Sequence, residues 1–143
     1  MTTVRQLLDQ KGRQVWSIPP DATVYDALRL LAERDIGALL VIQREALVGI
    51  ISERDYARKV ILKGKSSMKT AVREIMTERV FIVEPEYSLE EAMALMTEKR
   101  LRHLPVAEDD KVIGVVSIGD LVKAKIADQR FIIEQLERYI AGG

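Results

Sequence analysis

The segment RLRHLPV, residues 100–106, brings Arg100, Arg102 and the chain's single histidine, His103, together at the start of an apolar run. Arginine can grip a phosphate through two parallel hydrogen bonds, and a histidine beside an anion gains proton affinity. The cluster therefore suits a phosphate; it also reads as solvated cations ahead of a buried strand. Pro105 removes one backbone N–H and predicts an irregular edge position. A second pattern occurs twice, as Gly49-Ile50-Ile51-Ser52-Glu53-Arg54-Asp55 and Gly114-Val115-Val116-Ser117-Ile118-Gly119-Asp120. In each, a serine stands where a helix should begin and an aspartate follows three positions later. One reading is a capping box, in which the two side chains satisfy free backbone N–H groups. The other is a ribose site, because a carboxylate at a strand end can accept from both ribose hydroxyls, as the acidic residue of dinucleotide sites does. Both copies use aspartate where a capping box prefers the longer glutamate. That choice favours the ribose, and serine can serve both roles.

Other chemistries have little support. One histidine and no cysteine leave no cluster of metal ligands and no thiolate. Ser117, His103 and Asp120 can be named as a triad, but Ser117 and Asp120 share one helical turn and no nucleophile elbow precedes them. The expectation is a protein that is not an enzyme and requires no metal. Lysine plus arginine equals aspartate plus glutamate, 22 each, which argues against nucleic-acid binding through a global positive field. From Arg58 to Arg73 run six basic residues and no acid. These read as a weak nucleic-acid patch, or as a helix C-terminus followed by a solvated linker. The opening MTTVRQLLDQKGRQ resembles neither a signal nor a transit peptide. No uncharged run approaches the ~18 residues of a membrane span. A soluble, cytoplasmic protein is expected.

The elements that position these residues repeat. Adding 65 to positions 18–55 aligns them with 83–120 without a gap. Pro20 then falls on Pro85, Ala27 on Ala92, Leu39 on Leu104, Gly49 on Gly114, Ser52 on Ser117 and Asp55 on Asp120. Each copy starts with a short apolar strand, Val15 to Ile18 or Val80 to Val83. A helix follows with apolar residues at helical spacing (Val24, Ala27, Leu28, Leu31; Leu89, Ala92, Met93, Met96). Next come strands at Ala38 to Ile42 and Leu47 to Ile51, or Leu104 to Ala107 and Val112 to Val116, joined by polar turns. The class is α/β (α+β), with tandem β-α-β-β-α repeats related by a pseudo-twofold axis. One repeat alone buries too little, so the two should share a body. Residues 1–62 form the first repeat, 63–70 a linker and 71–127 the second repeat, which a short helix from Ala71 to Met76 leads into. Residues 128–143 form a helical extension. The helical pattern that runs into it from Leu121 places Val122, Ile126, Ile133, Leu136 and Ile140, widened by Phe131, Ile132 and Tyr139, in an apolar stripe that covers its own repeat or grips a partner subunit.

The doubled unit with its two Gly–apolar–apolar–Ser–x–x–Asp motifs resembles a tandem pair of cystathionine-β-synthase (CBS) domains over roughly residues 1–127. The resemblance implies a stand-alone regulatory module that binds adenosine-containing ligands in two clefts between the repeats. AMP is the first candidate, with ADP, ATP, S-adenosylmethionine or NAD(H) as the others. It also implies association of two chains, here as a homodimer, and an unknown protein target. Asp55 and Asp120 with Ser52 and Ser117 are then ribose contacts, and Arg102-His103, beside Leu104 and Pro105, reaches the phosphate. The first repeat carries Gly37-Ala38 in place of Arg102-His103. Its phosphate charge must come from Arg54, Arg58 and Lys59, or from Lys123 and Lys125, so the two sites are unequal. Ile18, Glu53, Thr77, Val80, Ile118 and Gly119 complete the expected ligand contacts. The alternatives are an interaction protein with vestigial clefts that acts through its C-terminal helix, and a weak nucleic-acid binder.

Overall fold

The computed structural model describes residues 2–142. In chain order the elements are α1 (Val4–Lys11), β1 (Ser17–Ile18), α2 (Val24–Arg34), β2 (Ala38–Gln43), β3 (Ala46–Ser52) and α3 (Glu53–Tyr56). Helix α3 continues as one wide turn of π-helix, Ala57–Ile61. There follow α4 (Val72–Ile75), α5 (Leu89–Lys99), β4 (His103–Glu108), β5 (Lys111–Ser117) and α6 (Ile118–Ala141).

Local chemistry starts and stops these elements alike in both repeats. Thr23 and Ser88 accept from the N–H groups of Asp26 (3.1 Å) and Glu91 (3.0 Å), satisfying free donors at the start of α2 and α5. Asp35 (φ 53°) and Arg100 (φ 56°) end the same helices in the left-handed conformation. Arg100 is thus a helix terminator. The hairpins β2–β3 and β4–β5 turn on Arg44-Glu45 and Asp109-Asp110, all four with positive φ, the signature of the tight turn that matches strand twist. Both ladders shift register at the same place, after Val41 and after Val106.

The chain packs as two units: Val15–Phe81, and the residues up to Gln14 together with those from Ile82 onward. These packing units are offset from the sequence repeats. The reason is a short motif outside the 65-residue register: Val4-Arg5-Gln6-Leu7-Leu8 and Val72-Arg73-Glu74-Ile75-Met76 match at an offset of 68. Helix α1 docks on the segment before α5, with Val4 N–H donating to Tyr87 O (2.8 Å) and Arg5 N–H to Pro85 O (2.9 Å). Helix α4 docks in the same way before α2, with Val72 N–H to Ala22 O (2.8 Å) and Arg73 N–H to Pro20 O (3.0 Å). The side chains of Arg5 and Arg73 reach the equivalent acids Glu86 (2.8 Å) and Asp21 (2.7 Å). Each repeat is therefore completed by the helix that precedes the other one in sequence. The end of the expected linker is built in as well. Thr70 is buried, its carbonyl accepts from Val24 N–H (2.8 Å), and Ser67 O accepts from Tyr25 N–H (3.0 Å).

One strand fails in the second repeat. In the Val15–Phe81 unit, β1 pairs with β2 in parallel, and Leu40 N–H donates to Trp16 O (3.1 Å). Pro105 replaces Leu40 in the other unit and has no N–H to give. The strand expected over Val80 to Val83 shrinks to a single bridge, in which Val83 bonds Pro105 O (3.0 Å) and Ala107 N–H (3.0 Å). Pro105 is buried in the ladder opposite Val115, with its missing donor turned toward this weakly paired side.

Candidate functional site

Each motif serine ends a strand and caps the next helix. The preceding glycine has a packing role. A methyl group on Gly114 would sit 2.6 Å from Leu8 Cδ2, and one on Gly49 would sit 2.7 Å from Met76 Sδ and 3.0 Å from Thr77 O. Leu8 and Met76 are equivalent residues of the two docking motifs. The glycines admit them where any side chain would collide.

In the Val15–Phe81 unit, Ser52 stands opposite Ala38 across β2–β3, and Glu53 N–H bonds Gly37 O (3.2 Å). Asp55 is buried and fully engaged. Its Oδ2 accepts from the N–H and Oγ of Ser52, both at 3.0 Å, while Asp55 N–H returns a bond to Ser52 Oγ (3.2 Å). Its Oδ1 accepts from Thr77 Oγ1 (3.3 Å) and pairs with Lys59 Nζ (3.0 Å). Lys59 also donates to Ile75 O (2.9 Å). The capping box is realised, and Lys59 is committed to it. Arg54 and Arg58 are exposed, Val80 is half-buried and Ile18 is buried beneath β2.

The other unit repeats the capping box with a different balance. His103 stands opposite Ser117 across β4–β5, and Ile118 N–H bonds Arg102 O (2.9 Å). Ser117 Oγ accepts from Asp120 N–H (3.1 Å), and Asp120 Oδ2 accepts from Ser117 N–H (2.9 Å). Oδ2 also accepts from Lys11 Nζ (2.6 Å) at the end of α1, and Lys11 donates in addition to Val115 O (2.8 Å). These bonds converge on Oδ2 and leave Oδ1 outside them. The Asp120 side chain is 27% exposed, against 12% for Asp55. Among the described residues, Asp120 Oδ1 takes no part in the cap, whereas both oxygens of Asp55 are bonded.

Electrostatics follow. Burial pushes the Asp120 carboxyl up, but the hydrogen bonds from Lys11 and Ser117 outweigh it and hold the group below its usual range. His103 is pushed below the usual histidine value, first by burial; Asp120 opposes this, and Lys11 and Arg102 add to it. Its neutral ring is therefore the favoured form without an anion, and Arg102 lies exposed beside it. Leu104 and Pro105 lie buried behind His103, and Gly119 is exposed beside Ser117.

The structure thus brings Arg102, His103, Ser117 and Asp120 to one corner. Lys125 pairs with Glu90 (2.5 Å), away from any phosphate role, and Lys123 is exposed on α6. Sequence reasoning missed Lys11. Its position, one helix-length into an apolar docking motif, was the available signal. Among the described residues no group of three or more His, Asp or Glu side chains could hold a metal. No described helix is long and apolar enough to cross a membrane.

A family profile described as CBS domain matches residues 4–62 and 72–127. The mitochondrial CBS domain-containing protein CBSX3 of Arabidopsis thaliana is 43% identical over 152 residues, covering 99% of this chain and 73% of that one. A solved putative signal-transduction protein with CBS domains from Burkholderia ambifaria is 54% identical at a TM-score of 0.86, covering 90% of this chain and 96% of its own. The CBS domain pair of protein MJ0100, solved with 5′-methylthioadenosine and S-adenosyl-L-methionine, shares the fold at a TM-score of 0.79 and 22% identity, over 90% of this chain and 98% of its own.

Proposed function

The chain belongs to the CBS domain family, and on that premise we propose that it is a regulatory module that senses an adenosine-containing ligand, AMP first among the candidates. The observation that carries this reading is the Asp120 corner. An ionised carboxylate there has one oxygen tied to its own helix cap and to Lys11, and the other outside those bonds on a side chain that is 27% exposed. Ribose hydroxyls donate to such an oxygen. Arg102, and His103 once an anion draws a proton onto it, supply the cations for a phosphate carried by the same nucleoside, while Lys11 stays tied to Asp120 and Val115 O. AMP carries the single phosphate that this cation pair calls for; ADP, ATP and NAD(H) are the other candidates. Two chains associate as a homodimer in this reading, with α6 as the contact.

The saturated carboxylate of Asp55 favours a second reading for its own unit. There the motif is a structural cap, and a ribose binds only if Thr77 and Lys59 release Oδ1. The test is titration calorimetry with AMP, with adenosine as the phosphate-free control. Asp120→Asn removes charge-assisted bonds worth roughly 1.5–3 kcal/mol, a ten- to hundredfold loss of affinity. Asp55→Asn lowers stability and leaves AMP affinity at the Asp120 corner unchanged. Unaltered AMP binding by Asp120→Asn would mean that both aspartates are caps and that the ribose assignment fails.

A further inference from the structure

Helix α6 runs far beyond its last buried residue, Leu121. Among the described residues, its last side-chain hydrogen bond to the body is at Asp128, which accepts from Thr2 Oγ1 (2.6 Å). Past it Ile133, Leu136 and Ile140 are 54%, 56% and 78% exposed, and Ile132 and Tyr139 are exposed beside them. At about 100° per residue, these five with Val122 and Ile126 fall within an arc of roughly 140°. Positions 122, 126, 129, 133, 136 and 140 step by four and three in alternation, the seam of a two-heptad coiled coil, with Gln129 its one polar member. Arg130 and Glu137 line one edge of the seam; Lys125, Ile132 and Tyr139 line the other.

We propose that this segment pairs with the same segment of a second copy, antiparallel, about a twofold axis between Ile133 and Leu136. The proposal rests on the homodimer reading above and specifies its geometry. The charges decide the direction. A parallel pair sets Arg130 of the second copy beside Lys125, which Glu90 of its own chain already holds, and places Glu137 against Ile132, so neither Arg130 nor Glu137 gains a partner of opposite charge. An antiparallel pair faces like edges together. Arg130 then meets Glu137 of the second copy twice, and Ile132 meets Tyr139 twice. In the seam Ile133 packs on Leu136 of the second copy, and Gln129 on Ile140. The contact is self-complementary, as a twofold interface requires. A membrane surface fits poorly, since residues 129–140 carry two arginines balanced by two glutamates where a surface-seeking helix is rich in cations. The helix is already nucleated by the Ser117 capping box, so pairing does not have to form it.

The chain has no cysteine, which makes thiol cross-linking clean. Light scattering on the full chain should give a dimer. Mild oxidation of mixed Gln129→Cys and Ile140→Cys chains should give the mixed disulfide, identified by mass, while Gln129→Cys alone stays uncrosslinked. Arg130→Glu should weaken association at least tenfold, and adding Glu137→Arg should restore it. A monomeric full chain overturns both the homodimer reading and this geometry. A dimer that cross-links through Gln129→Cys alone, yields no mixed disulfide, or tightens with Arg130→Glu overturns the antiparallel pairing and leaves the homodimer standing.

Discussion

Gly114→Ala tests the docking of α1 on the second repeat. The added methyl would lie 2.6 Å from Leu8 Cδ2 and 2.9 Å from Leu8 Cδ1, well inside van der Waals contact. Leu8 is fully buried and has no room to retreat. Overpacking of this kind costs about 1–3 kcal/mol. Leu8→Ala alone empties a fully buried site and costs about 2–5 kcal/mol. In the double variant the new methyl enters the space the leucine left, so the cost of Gly114→Ala should vanish or reverse. The coupling energy should therefore be about 1–3 kcal/mol in the favourable direction, well above the ~0.5 kcal/mol scatter of independent sites. Urea unfolding with circular dichroism measures it, provided the m-values agree among the four proteins. The equivalent cycle of Gly49→Ala with Met76→Ala should recover only part of its cost, because Thr77 O stays 3.0 Å from the new methyl. Additive effects of Leu8→Ala and Gly114→Ala would refute the exchange of docking helices between the repeats, and with it the packing role assigned to the motif glycine.

The half-buried His103 sets a pH dependence. Its folded pKa lies below the unfolded value of about 6.5, so the unfolded chain binds more protons between the two values. Its stability contribution is complete above about pH 6.5 and is lost as pH falls through the lowered folded value. Ligand-free protein should therefore lose stability below that pH, and His103→Gln should lack this component; identical pH profiles for the two would remove the histidine's burial from the argument. A third expectation concerns Pro105→Leu, which restores the donor present at Leu40. Hydrogen exchange should show the new amide at position 105 protected; an amide that exchanges freely would mean the proline does not limit the strand.

Much of the fold was legible because it is local. Periodic apolar residues and a hydroxyl cap define α2 and α5 within a dozen positions, and the tight turns at Arg44-Glu45 and Asp109-Asp110 need only polar residues between two apolar runs. Tandem duplication made these signals countable twice, which identified the CBS pair and its two Ser–x–x–Asp corners. Less legible was anything joining residues far apart in the chain. The match of 4–8 with 72–76 falls three residues out of the main register, and no local rule says that each five-residue motif docks on the distant repeat.

The same limit applies to the site. Sequence determined that both corners hold a serine and an aspartate, and that only the second has Arg102-His103 beside them. It could not separate a free carboxylate from a saturated one. Asp55 is spent because Thr77 and Lys59 both reach it, and Asp120 keeps Oδ1 because Lys11, more than a hundred positions away in sequence, takes the oxygen already used by the cap. Hydrogen-bond capacity is consumed by whichever donors arrive in space, so the chemistry of two identical motifs was decided by tertiary packing.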